Sequence, residues 1–264
     1  AGDSVPVSAT ADPSNNIPEA IETNNTLTVT LTVYNNGYKG KRYTKGEDLE
    51  TKQTWEGKYD VVYSNGNSKY RGSGHSNWVN PYTTTWTSTD LVIPSTATVV
   101  SARLYQGYTW NAPGGIPDFI ATFNGNTLSA PTHHSDTKGF GTSNYPSGLL
   151  VYDVTSYFNT AGNTLSIING TTTGATTGLY GSYLIVIYED PNTSTKKIWI
   201  NDGADMLYSG TARSVTNEEA TAYATFNSAS TTNLENAKII NILASANEAN
   251  KSKFLFNGNE YTGF

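Results

Sequence analysis

Side chains able to carry out acid–base or metal chemistry are scarce in this chain. Its 264 residues include three histidines and no cysteine, which excludes thiol catalysis, disulfides and cysteine zinc sites. His134 and Asp136 are spaced for a base or a metal site, but a polar loop explains the same residues. No serine lies in a G-x-S-x-G turn, and no glycine-rich stretch has the strand–loop–helix context of phosphate binding. The sequence therefore predicts no catalytic residue and a protein that is not an enzyme.

Four carboxylates raise the alternative of a calcium site. Asp202 and Asp205, together with Glu218 and Glu219, could supply oxygen ligands to Ca²⁺. These residues show neither EF-hand spacing nor a calcium-binding repeat. We therefore expect no cofactor and no metal, with Ca²⁺ as the alternative.

Two further sets of residues suggest surface chemistry. Trp78, Tyr82 and Trp86 could form an aromatic platform for a glycan, or they could pack in the core of a sandwich. Glycosylation sequons of the form N-x-S/T begin at four asparagines, which are Asn24, Asn169, Asn192 and Asn250. In an extracellular glycoprotein these would be exposed glycan sites, although an Asn- and Thr-rich chain also produces sequons by chance.

Composition predicts an all-β protein with a polar, weakly charged surface. The chain has 24 glycines and 18 tyrosines, and only 14% of its residues are charged. A net charge of −6 without a basic patch argues against nucleic acid as a partner. No apolar run is long enough for a membrane span. Ala1 is compatible with a mature secreted chain and equally with a cut one.

Alternating and short apolar runs predict the strands. Residues 27–34 (LTVTLTVY) alternate without a break, and the most apolar run, residues 183–188, reads as a buried central strand followed by a turn and a second strand at 197–201. The expected layout comprises an N-terminal strand segment at 1–34, a linker or hairpin at 35–70, a β-sandwich at 71–196 and an incomplete second sandwich at 197–264.

An internal repeat underlies this expected incompleteness. Residues 102–105 (ARLY) precede an FNGN tetrapeptide at 123–126, and residues 237–240 (AKII) precede another at 256–259. The first copy is followed by further strands and the second is not. Chance is the alternative explanation, because FNGN is a common hairpin turn.

The repeat predicts assembly by strand addition. Two sandwich- or jelly-roll-like halves are expected, the second completed by a strand from a neighbouring subunit, because open sheet edges invite pairing. The segment 27–34 has no obvious local partner and is the candidate donor strand. Its assembly residues are Leu27, Val29, Leu31, Val33 and Tyr34. A head-to-tail contact of this kind would produce a homopolymeric filament.

Two stretches resemble known families. Residues 12–34, with Glu22, Asn24, Asn25 and Thr26, resemble the closing hairpin of a CARDB-type adhesion domain. From about residue 63 onward the chain resembles a family of uncharacterised surface-protein domains of methanogenic archaea. The matching motifs are WTSTDL at 86–91, SARLY at 101–105, YDVT at 152–155, VIYED at 186–190, INDGAD at 200–205 and EEATA at 218–222.

The resemblance implies an extracellular, cell-surface role as a structural protein of a filament, sheath or S-layer. The alternative that it implies is an adhesin or a carbohydrate-binding module on the archaeal surface. Surface glycans are accordingly a candidate partner besides a second copy of the chain.

Overall fold

A computed structural model describes ten segments of the chain. They are residues 3–14, 16–18, 20–33, 48–72, 81–137, 145–170, 177–210, 215–227, 234–245 and 249–261. The described residues contain β-strands and two single-turn 3₁₀ helices, Glu22–Asn24 and Thr155–Tyr157, and no α-helix. The prediction of an all-β protein is therefore confirmed.

The described residues form fifteen strands. They are β1 Asp3–Thr10, β2 Thr26–Val33, β3 Glu50–Gly57, β4 Tyr59–Ser64, β5 Tyr82–Thr87, β6 Thr98–Thr109, β7 Ile120–Phe123, β8 Asn126–Thr127, β9 Thr132–Asp136, β10 Ser147–Asp153, β11 Gly162–Ile168, β12 Gly178–Glu189, β13 Lys196–Asp202, β14 Phe254–Phe256 and β15 Asn259–Tyr261. All pairings between these strands are antiparallel.

Two sheets form a β-sandwich. One has five strands in the order β4-β12-β6-β10-β9, and the other has four in the order β5-β11-β7-β8. Alternate side chains of both sheets meet in a single core, where Trp86 and Phe123 from one sheet join Leu104, Leu150 and Leu184 from the other. The central pair, β6 and β12, supplies the longest ladder, because apolar β-branched and aromatic residues fit a strand buried on both faces.

The second face of the five-stranded sheet is also covered. Tyr105, Leu149 and Val151 alternate with the sandwich-core residues and pack beneath Ala204, which follows β13. The β13 strand itself pairs with β3, and the two form a separate ribbon.

Most strands predicted from the sequence are confirmed, and so are both FNGN hairpins. Asn124 and Gly125 in the first turn, like Asn257 and Gly258 in the second, have left-handed backbones, as tight two-residue hairpins require.

Other expectations fail, among them the strands that the sequence predicts at 220–226 and 237–244. Residues 220–226 form a turn and irregular chain, because Thr216 and Glu219 cap each other's backbone instead. Residues 237–244 are extended but belong to no strand. The strand predicted at 197–201 is present as β13, and its partner is the unpredicted β3. The strand β9 was also not predicted. The division of the chain into domains stays a prediction.

Candidate assembly interface

The N-terminal hairpin presents an apolar face that nothing in the described chain covers. The β1–β2 register places Val5 opposite Leu31, Val7 opposite Val29 and Ala9 opposite Leu27, so all six side chains lie on one face. The five larger ones are between 42% and 67% exposed. The prediction that residues 27–34 lack a local partner is therefore wrong, because β1 pairs with β2 along its whole length.

The opposite face of the hairpin is polar and internally bonded. The hydroxyls of Ser8 and Thr28 lie 2.7 Å apart, and those of Thr10 and Thr26 lie 3.1 Å apart. Such cross-strand hydroxyl pairs stabilise a sheet facing water. The hairpin is thus amphipathic, with a definite solvent side and a definite side for a partner.

Hydrogen bonds hold the described part of the connection between the two strands. Ala11 donates its backbone N–H to the carbonyl of Asn25 at 2.8 Å, and the Asp12 carboxylate accepts the backbone N–H groups of Asn16 and Ile17. These bonds fix the register, and the register decides which face is apolar.

The two outer edges of the hairpin differ. Strand β1 contains Pro6, which cannot donate a ladder hydrogen bond, whereas β2 (TLTVTLTV) contains neither proline nor charge. The β2 edge therefore lacks the usual protection against pairing. Val33 ends this strand, and Tyr34, the last predicted assembly residue, lies outside the described residues.

A second unpartnered region lies in residues 234–245. Leu234, Ile239, Ile242 and Leu243 are exposed, and no backbone hydrogen bond joins this segment to another described residue. The Lys238 ammonium of this segment lies 5.7 Å from the ring centre of Tyr63 on β4. In the predicted repeat, this segment would be the counterpart of β6.

The predicted glycan platform is wrong. Tyr82 and Trp86 are buried in the sandwich core, where the Trp86 ring N–H donates to the carbonyl of Ser64 at 3.0 Å. The Tyr82 hydroxyl exchanges hydrogen bonds with the backbone of Lys69. Trp78 lies outside the described residues. The alternation of side chains on β5 favours the other alternative, which is packing of these rings in the core of the sandwich.

The predicted His134–Asp136 pair does not form a site. His134 Nε2 lies 3.1 Å from Asp202 Oδ1, while the Asp136 carboxylate accepts the backbone N–H of Met206. His134 thus joins β9 to the end of β13, and Asp136 joins β9 to the segment that follows, so the two side chains hold this part of the chain on the sheet. His133 turns the other way and contacts the Tyr108 hydroxyl at 2.7 Å.

Asp202 is the centre of a buried polar cluster. Besides His134, it accepts hydrogen bonds from Arg103 Nη2 at 2.9 Å and from the Tyr105 hydroxyl at 3.2 Å. Burial alone raises the pKa of Asp202, but the His134 hydrogen bond and the Arg103 charge outweigh burial, so its pKa lies below the ordinary value. Burial raises the pKa of Tyr105 as well. The cluster is enclosed and internally satisfied, which suits a structural role.

The four predicted calcium ligands do not converge. Asp202 ends β13 and Asp205 lies in the segment that follows it, whereas Glu218 is exposed and Glu219 caps the turn at Thr216. Among the described residues, no three side chains are grouped as a metal site would require. Likewise, no helix in the described ranges has the length and apolarity to cross a bilayer.

Asn24 ends the first 3₁₀ helix, Asn169 follows β11, and Asn192 and Asn250 lie in turns. Asn24, Asn192 and Asn250 are exposed, and Asn169 is half-buried. The side chain of Asn192 lies close to the hydroxyl of Thr96 and the carboxylate of Asp190. The use of any of the four as a glycan site stays a prediction.

Comparison with known proteins gives one match. A family model with the description "protein of unknown function (DUF3344)" matches residues 37–264. No curated protein and no solved structure matches the chain. The matched segment includes both sandwich sheets and the unpartnered residues 234–245, but not the N-terminal hairpin. Because the match covers most of the chain, the protein is a member of the DUF3344 family.

Proposed function

We propose that this protein is a structural subunit of an extracellular filament, sheath or surface layer whose copies join through β-strand pairing. The observation that carries the proposal is the N-terminal hairpin, which exposes Val5, Val7, Leu27, Val29 and Leu31 on one face. A two-stranded hairpin is at best marginally stable in water and needs a further strand or a packed face.

The occupant that we assign to this face is residues 234–245 of a second copy. That segment is extended, carries Ile239, Ile242 and Leu243 at its surface, and has backbone groups free of bonds to other described residues. Backbone N–H and C=O groups left without a ladder favour strand addition. The edge of β2, with neither proline nor charge, is the donor strand, and residues 234–245 of the second copy are the acceptor.

The free energy of association is favourable only if apolar burial and hydrogen bonding between strands both contribute. Completing the burial of five half-exposed side chains gains on the order of 5 kcal/mol. Association costs a comparable amount, about 4–15 kcal/mol. The remaining free energy must come from apolar burial on the acceptor and from ladder hydrogen bonds, each of which contributes about 1 kcal/mol. We therefore propose a contact that combines face packing with edge pairing.

A matched pair of variants tests the donor. Val29→Lys places a charge at the centre of the apolar face, and Thr30→Lys places the same charge on the opposite face of the same strand. We expect Val29→Lys to abolish assembly and Thr30→Lys to retain it, as measured by light scattering after size-exclusion chromatography and by negative-stain microscopy. Equal behaviour of the two variants would contradict the proposal.

A mixing experiment tests the head-to-tail geometry. Ile239→Lys disables the acceptor and leaves the donor intact, whereas Val29→Lys does the reverse. Because the contact is heterologous, the two variants mixed together should stop at one-to-one dimers, while neither assembles alone. Normal assembly of Ile239→Lys by itself would show that hairpins pair with each other instead.

The extracellular location is part of the proposal and is supported by the resemblance to surface-protein domains described from the sequence. Brief proteolysis of intact cells followed by mass spectrometry should release peptides of this chain. Intact mass of the native protein would at the same time show whether Asn24, Asn169, Asn192 or Asn250 carries a glycan.

A further inference from the structure

Trp110 has an unusual backbone for a bulky residue. Its φ is +56°, in the left-handed region that side chains with a Cβ rarely adopt, and its indole is 46% exposed. Strained backbone of this kind persists only where the surroundings enforce it, and it is concentrated at functional sites. The core of the sandwich gains nothing from an indole that points to solvent.

Asn111 enforces this conformation. Its side chain is fully buried, donates from Nδ2 to the Gly115 carbonyl at 3.0 Å and accepts from the Thr177 hydroxyl at 3.1 Å. Its backbone N–H donates to the Pro146 carbonyl at 2.9 Å. The loop after β6 is thereby fastened to the residue that precedes β10, and Trp110 is held in place on the surface.

Tyr145 stands beside Trp110 because of that bond. The two ring centres are 5.7 Å apart at an interplanar angle of 62°, and Tyr145 is 36% exposed. The rings thus form an open corner rather than a closed stack. The described stretches that carry them, residues 109–117 and 145–147, contain no charged side chain.

We infer that Trp110 and Tyr145 form a binding platform for a neutral oligosaccharide. The apolar C–H face of a sugar ring can pack on one aromatic ring while the second ring limits its orientation, and the tyrosine hydroxyl and nearby backbone groups can bond sugar hydroxyls. The absence of charge in the two stretches disfavours an anionic ligand. Rigid presentation lowers the entropic cost of binding, which weak sugar contacts require.

The test uses a panel of neutral oligosaccharides built from glucose, mannose, galactose and N-acetylglucosamine, titrated by calorimetry and tryptophan fluorescence. We expect saturable binding to at least one of them. Trp110→Gly should abolish this binding, and it should not unfold the protein, because glycine adopts φ +56° freely. Tyr145→Ala should weaken the binding about tenfold.

Two controls separate this site from the rest of the molecule. Tyr70→Ala removes another exposed aromatic ring and should leave the affinity unchanged. Val29→Lys, which blocks the proposed assembly, should also bind sugar normally, so that either proposal can fail alone. The inference is overturned if no neutral oligosaccharide binds at millimolar concentration, if only charged sugars bind, or if Trp110→Gly binds as the native protein does. Loss of self-assembly in Trp110→Gly without sugar binding would instead make the platform a contact between copies.

Discussion

Buried polar side chains hold the segment after β13 on the sandwich. Asp202 is bonded by Arg103, His134 and Tyr105, and Asp136 is bonded by the backbone of Met206. Removing one partner from such a group leaves a buried charge or donor unpaired, which is costly. The side chains that look most like catalytic residues in the sequence therefore serve tertiary structure.

Asp136 gives this cluster a pH dependence. Burial raises the pKa of Asp136 to about 10, and the neighbouring Asp205 carboxyl group adds to the rise. The unfolded chain has an ordinary pKa of about 4. Across the window from about pH 4 to about pH 10 the folded protein therefore retains a proton that the unfolded chain has lost, so the free energy of unfolding decreases as the pH rises.

Asp136→Asn should flatten this decrease, because the amide is neutral at every pH and resembles the protonated acid. Urea unfolding at about pH 5, 7 and 9 measures the slope. Glu218→Gln, at an exposed carboxylate, should leave the slope as it is in the native protein. Parallel slopes for the native protein and Asp136→Asn would show that Asp136 is ionised in the fold.

At the scale of elements, the sandwich depends on close approach between neighbouring strands. Gly148 on β10 lies opposite Ser135 on β9, and Tyr108 from β6 packs against the same point. A Cβ at this glycine would overlap the His134 carbonyl and lie 2.7 Å from the Tyr108 hydroxyl. The small residue therefore lets three strands come together.

Gly148→Ala should destabilise the fold by about 3 kcal/mol, because the added methyl must push strand backbone aside. Gly125→Ala is the matched control. It has a left-handed φ of +81° but open space around it, so only about 1 kcal/mol of backbone strain is expected. Chemical denaturation of both variants measures the difference, and equal losses would contradict this account of the β9–β10 contact.

At the scale of the whole molecule, buried apolar surface is unevenly distributed among the described strands. The two sandwich sheets bury a continuous core that includes Leu104 and Leu184, whereas the described side chains of β1 and β2 are exposed. Local stability follows buried apolar contact, so the hairpin should open far more readily than the sandwich.

Hydrogen exchange should resolve this difference. In dilute, unassembled protein we expect the amides of β1 and β2 to exchange rapidly and those of β6 and β12 to be protected. On assembly the β2 amides should become protected, because strand addition gives them partners. Peptide-resolved exchange by mass spectrometry is the measurement. Slow exchange of β2 in the dilute protein would mean that the hairpin is stable without a partner.

The sequence alone predicted much of the fold. Alternation and short apolar runs located β2, β12 and β13, and the Asn-Gly pairs located both hairpins, because these signals act over a few residues. The strand β3 (ETKQTWEG) was missed, since its glutamates, lysine and glutamine lie on a ribbon that is largely exposed. The candidate interface was predicted in part. Strand β2 was identified as the assembly strand, but Val5 and Val7 on β1 were not identified as part of the interface, although residues 4–11 alternate as a strand would.

Tertiary structure decided which side chains are buried or exposed and which partners they contact. The sequence favours Trp86, and not Trp110, as part of a glycan platform, yet the pairing of β5 with β11 buries Trp86, whereas Trp110 is half-exposed in the loop that the Asn111–Pro146 bond holds. Tertiary structure likewise places His134 beside Asp202, which is 68 residues away, and not beside Asp136, its neighbour in the sequence. Period-2 alternation determines that a strand forms and which of its faces is apolar. Which surface that face meets depends on pairings between distant segments, and no local pattern encodes them.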